Sequence, residues 1–194
     1  MESMSISNDY IKELDEKVKK KVDKKRYQHT IGVAYTAAAM AMAHNEECSR
    51  AYIAGLLHDN AKCIPVDKKL SLCKKYKLAI SDAEKSNPEL LHAKLGAVLA
   101  KDKFGIEDEE IISAIACHTT GKPGMTVLEK ILYIADYIEP GRKMLKDMDQ
   151  IRKYAFSDLD MALQLILENT LYYLEQKKAV MDPLTKETYE FYHK

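Results

Sequence analysis

Apolar residues recur at three- and four-residue spacing from Ile11 to Leu174, and no stretch shows the period-2 alternation of a half-buried strand. That pattern leaves one broad architecture, an all-α bundle. Ile11, Leu14, Val18 and Val22 form the stripe of a first helix, expected over 5–24. A second helix is expected from Lys25 to His44, with His29, Gly32, Val33, Thr36, Ala37 and Met40 on one face. Ser49 reads as the N-cap of a third, in which Ala51, Ala54 and His58 share a stripe. The stretch 61–86 is irregular, with Pro65 inside it and a short helix expected over 68–76. Asn87-Pro88 starts the next helix and Phe104-Gly105 stops it; His92, Gly96 and Leu99 lie on one of its faces.

Four acids, Glu107 to Glu110, open a helix that carries Ile111, Ile115 and His118. Thr126 and Glu129 have capping-box spacing, and the helix they open holds Leu128, Ile131, Leu132, Ala135 and Asp136 before Pro140-Gly141 ends it. Ser157 is expected to cap a long last helix through Leu174. No linker is long enough to divide the chain, so a single domain over 1–194 is expected. Its core spans about 26–165, with the N-terminal helix and the C-terminal segment 166–194 packed on it.

The chain has 194 residues, ample for a buried core, and its 30 basic residues balance 30 acidic ones. A neutral chain lacks the basic field of a non-specific nucleic-acid binder. The lysines between Lys17 and Arg26 alternate with Val18 and Val22 and read as a solvated helix face. Its longest apolar run, Ile31 to Ala43, is too short to cross a bilayer. Cys48, Cys63, Cys73 and Cys117 form no CxxC pair and no secretory signal precedes them, which points to a soluble, cytoplasmic protein with reduced thiols. Cys63 is expected as a small buried residue rather than a nucleophile.

The chemistry lies in the histidines. Four of the six (His29, His58, His92 and His118) form an ordered set with Asp59 and Asp136, and His29, His92 and His118 occupy positions on apolar stripes. A buried imidazole or carboxylate needs a partner, and a cation supplies one. Asp136 sits among Ile131, Leu132, Ile134, Ala135 and Ile138, where an unpaired carboxylate would be expensive. Six nitrogen and oxygen ligands are too many for one tetrahedral zinc and suit two metals sharing a carboxylate. Such a centre acidifies water and clamps phosphate oxygens for in-line displacement. His44 reads as a helix C-terminal residue and His193 as part of the tail. Tyr172 and Tyr173 suit packing or a homodimer contact.

The order His29, His58-Asp59, Asp136 resembles the HD-domain metal-dependent phosphohydrolase superfamily, an all-α fold; His92 and His118 resemble its dinuclear branch. The stretches RYQHTIGVAYTAA (26–38), AGLLHDNAK (54–62), HTTGKPGM (118–125), LEKILYIADYIEPGR (128–142) and SDLDMAL (157–163) are similar to the YqeK-like symmetrical bis(5′-nucleosyl)-tetraphosphatases. The resemblance implies hydrolysis of diadenosine tetraphosphate at the centre of its phosphate chain to two ADP, with ADP or GDP as product-like ligands. It implies one metal on His29, His58, Asp59 and Asp136, and a second on His92 and His118 with Asp59 bridging. Iron is the implied metal, and manganese or cobalt suits the same ligands. The chain departs from the family pattern at Lys122, where arginine is usual, and at Met144-Leu145-Lys146, where a Pro-Gly turn is usual.

Asp59 and Lys62 are the candidate catalytic residues. Lys62, Thr119, Gly121, Lys122 and Arg142 are the candidate substrate contacts: Lys62 lies four residues beyond His58, Lys122 follows a small polar loop, and a guanidinium at Arg142 suits phosphate. Three alternatives stay open at this level. One is another HD-type nucleotide phosphohydrolase acting on deoxynucleotides, guanosine polyphosphates or cyclic phosphodiesters. The others are a di-iron oxygenase and a non-catalytic, metal-bound nucleotide sensor.

Overall fold

The computed structural model describes residues 8–193. Every regular element among them is helical: α1 (Asn8–Lys19), α2 (Lys24–Ala43), α3 (Cys48–Leu57), α4 (Val66–Lys75), α5 (Asp82–Ser86) and α6 (Leu91–Phe104) make the first half. The second half is α7 (Glu109–Cys117), α8 (Val127–Ile138), α9 (Met148–Tyr154), α10 (Leu159–Gln176) and α11 (Pro183–Tyr192), and a single 3-10 turn at Pro88–Leu90 leads into α6. The all-α expectation holds.

The centre of the molecule is α2 laid against α3 and α8, with α7 wedged among α3, α6 and α8. Val33, Ala37 and Met40 of α2, Ile53 and Leu57 of α3, Ile111 and Ile115 of α7, and Leu128, Ile131 and Leu132 of α8 are buried together in this core. Gly55 allows α2 and α3 to approach closely, since a Cβ there would stand 2.6 Å from the Cα of Ala34. A smaller cluster of Ala61, Cys73, Leu91, Leu95 and Leu99 seats α4 on α6. α9 and α10 pack behind α8, and α11 lies on α10.

Several boundaries follow the expected chemistry. Thr126 and Glu129 form a reciprocal capping box, and Gly105 at φ +71° stops α6. Others differ. α1 ends at Lys19 rather than 24, because Asp23 caps α2 by accepting from the Arg26 amide; the expected start at residues 5–7 lies outside the described residues. Helix α3 begins at Cys48, and the Ser49 hydroxyl donates to Glu47 instead of capping. Asp158 caps α10 by accepting from the Asp160 and Met161 amides, whereas Ser157 donates to the Lys153 carbonyl. Of the four acids before α7, Asp108 is the cap and only Glu109 and Glu110 lie in the first turn.

The short helices α5 and α9 were not expected. Nor was α11, which is docked by the Tyr192 hydroxyl accepting from the Met125 amide at 2.8 Å and by Gln164 donating to the Tyr192 carbonyl. Cys63 is exposed, not buried. His44 reaches across to the Ala155 carbonyl at 2.8 Å. No helix among the described residues is long and apolar enough to cross a membrane.

Candidate metal centre

The four histidines and two aspartates converge from five elements. His29 stands on α2; His58 closes α3 and Asp59 follows it in the turn; His92 is in the first turn of α6; His118 closes α7; Asp136 is in the last turn of α8. After Leu57 the chain tightens, with Asn60 N–H donating to the Leu57 carbonyl and Lys62 N–H to that of Asp59. This tight turn aims His58 and Asp59 inward. The Asn60 side-chain amide ties it to α6 through the Gly96 carbonyl at 2.8 Å.

The carboxylate of Asp59 stands at the middle and its two oxygens face different groups. Oδ2 lies 3.4 Å from His58 Nε2 and 3.8 Å from His29 Nε2. Oδ1 lies 3.2 Å from His92 Nε2 and 3.9 Å from His118 Nε2. Asp136 Oδ1 joins the first group, 3.0 Å from His29 Nε2 and 3.8 Å from His58 Nε2. Ligands around one ion with bonds of roughly 2.1 Å stand about 3.0–3.5 Å apart at octahedral and tetrahedral angles. Three of the six separations fall within that range and three, at 3.8–3.9 Å, lie a few tenths of an ångström beyond it, so small side-chain movements bring these atoms onto a shared cation. Three overlapping triads bring one ligand atom each within 4.8 Å of the others, close enough to hold an ion: His29, His58 and Asp59; Asp59, His92 and His118; and His58, His118 and Asp136.

Proton placement agrees. Each Nδ1 faces an oxygen: His58 the Gly55 carbonyl at 2.6 Å, His92 that of Glu89 at 2.5 Å, His118 that of Ile115 at 2.7 Å, and His29 the Glu139 carboxylate at 3.0 Å. A carbonyl only accepts, so Nδ1 carries the proton in those three, and Nε2 is left with a lone pair turned to the centre. Nε2 of His29 and of His58 is buried with no hydrogen-bond partner among the described residues, because the nearby carboxylate oxygens are not aligned for one. His92 and His118 bring Nε2 atoms within 3.1 Å of each other. Two lone pairs so placed repel unless a proton or a cation lies between them. The residues present fit a metal.

Burial and charge act together on these groups. Burial drives the His118 pKa down to about 3, with His92 and His58 adding to the shift. Burial would raise Asp59, but His58 and His92 hold it well below the usual carboxylate range. Asp136 behaves alike, burial being outweighed by His29, His58 and Arg142. Both carboxylates therefore stay ionised.

The expected substrate residues fare differently. Burial lowers the pKa of Lys62, against the pull of Asp59, and its Nζ lies 3.4 Å from His92 Nδ1. Arg142 donates to Asp136 Oδ1 at 2.5 Å and to the Asp136 carbonyl at 2.9 Å. Thr119 and Thr120 are half-buried beside His118. The Gly121 amide donates to the Cys117 carbonyl, and a Cβ on Gly121 would meet Thr188 of α11. Lys122 points away from the histidines, to Glu129 at 2.6 Å and Ser113 at 2.9 Å. Two residues without an assigned role in the sequence join the site. Arg26 donates to Asp59 Oδ2 at 2.7 Å, and Glu139 is the partner of His29. Each had a signal: Arg26 is three residues before His29 on the same helix face, and Glu139 three after Asp136.

A model of the HD domain matches residues 26–141. The chain belongs to the HD-domain family. It is 40% identical over 174 residues to the symmetrical bis(5′-nucleosyl)-tetraphosphatase of Bacillus subtilis, covering 90% of this chain and 92% of that protein. It is 36% identical to the protein of the same name from Staphylococcus aureus, covering 90% of each. In three dimensions it resembles a predicted HD superfamily hydrolase involved in NAD metabolism from Clostridium acetobutylicum. The TM-score is 0.90 at 39% identity, over 94% of this chain and 96% of that one.

Proposed function

We propose that this HD-domain protein is a metal-dependent symmetrical bis(5′-nucleosyl)-tetraphosphatase. It hydrolyses diadenosine tetraphosphate to two ADP: one water is consumed and the central P–O–P bond breaks. The division of Asp59 between two nitrogen groups carries the reading, because a carboxylate so placed can bridge two ions. His29, His58, Asp59 and Asp136 would hold one metal, and His92, His118 and Asp59 the other. Iron is our assignment, with manganese or cobalt acceptable to the same donors. Bound there, the metals supply acidified water and positive charge against the polyphosphate.

The protein's part is to orient those ions and to meet the remaining phosphate charge. Lys62, whose Nζ lies 3.4 Å from His92 Nδ1, would neutralise the departing ADP. Arg26 and Arg142, which cover Asp59 and Asp136, are guanidinium groups at the mouth of the same cluster and would meet phosphate oxygens of the substrate. Thr119 and Gly121 shape the wall beside His118, and Lys122 holds that loop through Glu129. The whole chain acts as one domain, its ligands are dinucleoside polyphosphates with ADP or GDP as products, and exposed Tyr172 and Tyr173 offer a homodimer contact. Four free cysteines, two of them exposed, fit a reducing cytoplasm.

The test is Asp59→Ala, with metal content and turnover measured on one sample. Loss of both metals and of all ADP production is expected. Retained turnover would remove Asp59 from the bridging position.

A further inference from the structure

His58, His92 and His118 are oriented identically: each stands at or near a helix end and gives its Nδ1 proton to the backbone carbonyl three residues before it. His29 is the exception. It lies inside α2, and its Nδ1 faces the Oε1 of Glu139 at 3.0 Å, 110 residues away. We propose that Glu139 is the positioning residue of His29: its carboxylate fixes the imidazole with the proton on Nδ1 and strengthens Nε2 as a donor to one of the two metal positions only.

Glu139 is built into this place. Its side chain is 5% exposed. The second oxygen, Oε2, accepts from the Gly141 amide at 2.5 Å. Its backbone is fixed on both sides, its own N–H donating to the Ala135 carbonyl and its carbonyl accepting from Arg142 N–H at 3.0 Å. Arg152 adds a donor to the Ile138 carbonyl at 3.2 Å, anchoring the end of α8. The opposing wall is Gly32, where a Cβ would lie 2.6 Å from Oε2 and 3.3 Å from Cδ. The glycine on α2, one turn after His29, is thus the space the carboxylate occupies. Pro140 and Gly141, a helix stop in the sequence, also turn the chain so that the Gly141 amide holds Glu139.

A carboxylate draws the Nδ1 proton more strongly than a carbonyl does and raises the basicity of the other nitrogen. The position containing His29 therefore gains ligand strength that the His92–His118 position lacks. Loss of such a partner lowers metal affinity roughly 10–100-fold. This inference rests on the two-metal reading above for its metal readout, while its proton readout stands without metal.

The experiment compares full-length wild-type, Glu139→Ala, Glu139→Gln and Gly32→Ala proteins. Cobalt(II) titration followed by absorption reads the affinity of each position, and nitrogen-15 NMR of the metal-free protein reads the His29 tautomer. Wild type should bind two ions and hold the proton of His29 on Nδ1. Glu139→Ala should weaken one ion about 10–100-fold, leave the other unchanged, and move proton population to Nε2. Glu139→Gln should fall between, since one amide oxygen replaces two acceptors. Gly32→Ala displaces the carboxylate without deleting it and should weaken the same ion, which serves if Glu139→Ala does not fold. Unchanged affinity and tautomer overturn the proposal, as does equal weakening of both ions with a lowered melting temperature of the metal-free protein. A wild type that binds fewer than two ions would instead refute the two-metal reading, and the tautomer would still decide the role of Glu139.

Discussion

Replacing Lys122 with methionine separates two roles that look alike in the sequence. Its ammonium lies 2.6 Å from Glu129 Oε1, and Glu129 is only 1% exposed. Breaking a fully buried pair costs about 3–5 kcal/mol, and an exposed one less than about 1. This pair falls between, because the Lys122 side chain is 36% exposed and therefore screened, while Glu129 keeps the Ser113 hydroxyl and the Thr126 amide. A loss of about 2 kcal/mol follows, in the range for hydrogen bonds to charged groups. With a urea slope on the order of 2–3 kcal/mol per molar, the unfolding midpoint should drop by roughly 0.7–1 M. Pairing the change with Glu129→Gln should recover about 1 kcal/mol relative to additivity, since no buried charge is then left alone. The KM for substrate should hardly move. An unchanged midpoint with a KM raised tenfold would refute this reasoning and put Lys122 on phosphate.

Three further outcomes are expected. Gly121→Ala puts a side chain at φ +65° with its Cβ 2.7 Å from Thr188 Cγ2, so α11 should loosen and limited proteolysis should release the C-terminal segment; an unaltered digestion pattern would contradict this. Asp108 has its pKa lowered, chiefly by the hydrogen bond from Arg50, so the stability it contributes is full above its unfolded value near 3.9 and is lost as pH falls through its lower folded value. The gap in urea stability between wild type and Asp108→Ala, about 1–2 kcal/mol at pH 6 after allowing for screening, should accordingly narrow as pH falls below about 3.9; a constant gap would contradict it. Adding cobalt(II) or manganese(II) to the chelated protein should raise its melting temperature, by the equivalent of about 2.7 kcal/mol per bound ion at a hundredfold excess over its Kd; no shift would speak against a metal centre.

Much of the fold is readable because its signals are local. The Thr126–Glu129 capping box and the Gly105 stop act within one turn, and each lies where spacing predicts. The core histidines stand out because a polar ring on an apolar stripe violates the pattern around it. What escapes the sequence is pairing at a distance. Glu139 meets His29 across 110 residues and Arg26 meets Asp59 across 33, and neither separation leaves a local period. The direction of Lys122 is equally hidden, since a lysine after a small polar loop reads the same whether it meets phosphate or a buried glutamate. Helix α11 has a local start, Asp182 capping the Leu184 amide with Pro183 at the first position, but its place on the bundle comes from docking, through Tyr192 on Met125 and Thr188 on Gly121, which leaves no local period.

Chromatographic analysis of the products from diadenosine tetraphosphate, using protein of assayed metal content, tests the central claim most directly. ADP as the sole product, abolished by chelation and restored by iron, manganese or cobalt, is the predicted result. AMP with ATP would show hydrolysis at the wrong bond, and no product from a fully metallated sample would contradict the assignment of this site to dinucleoside tetraphosphates.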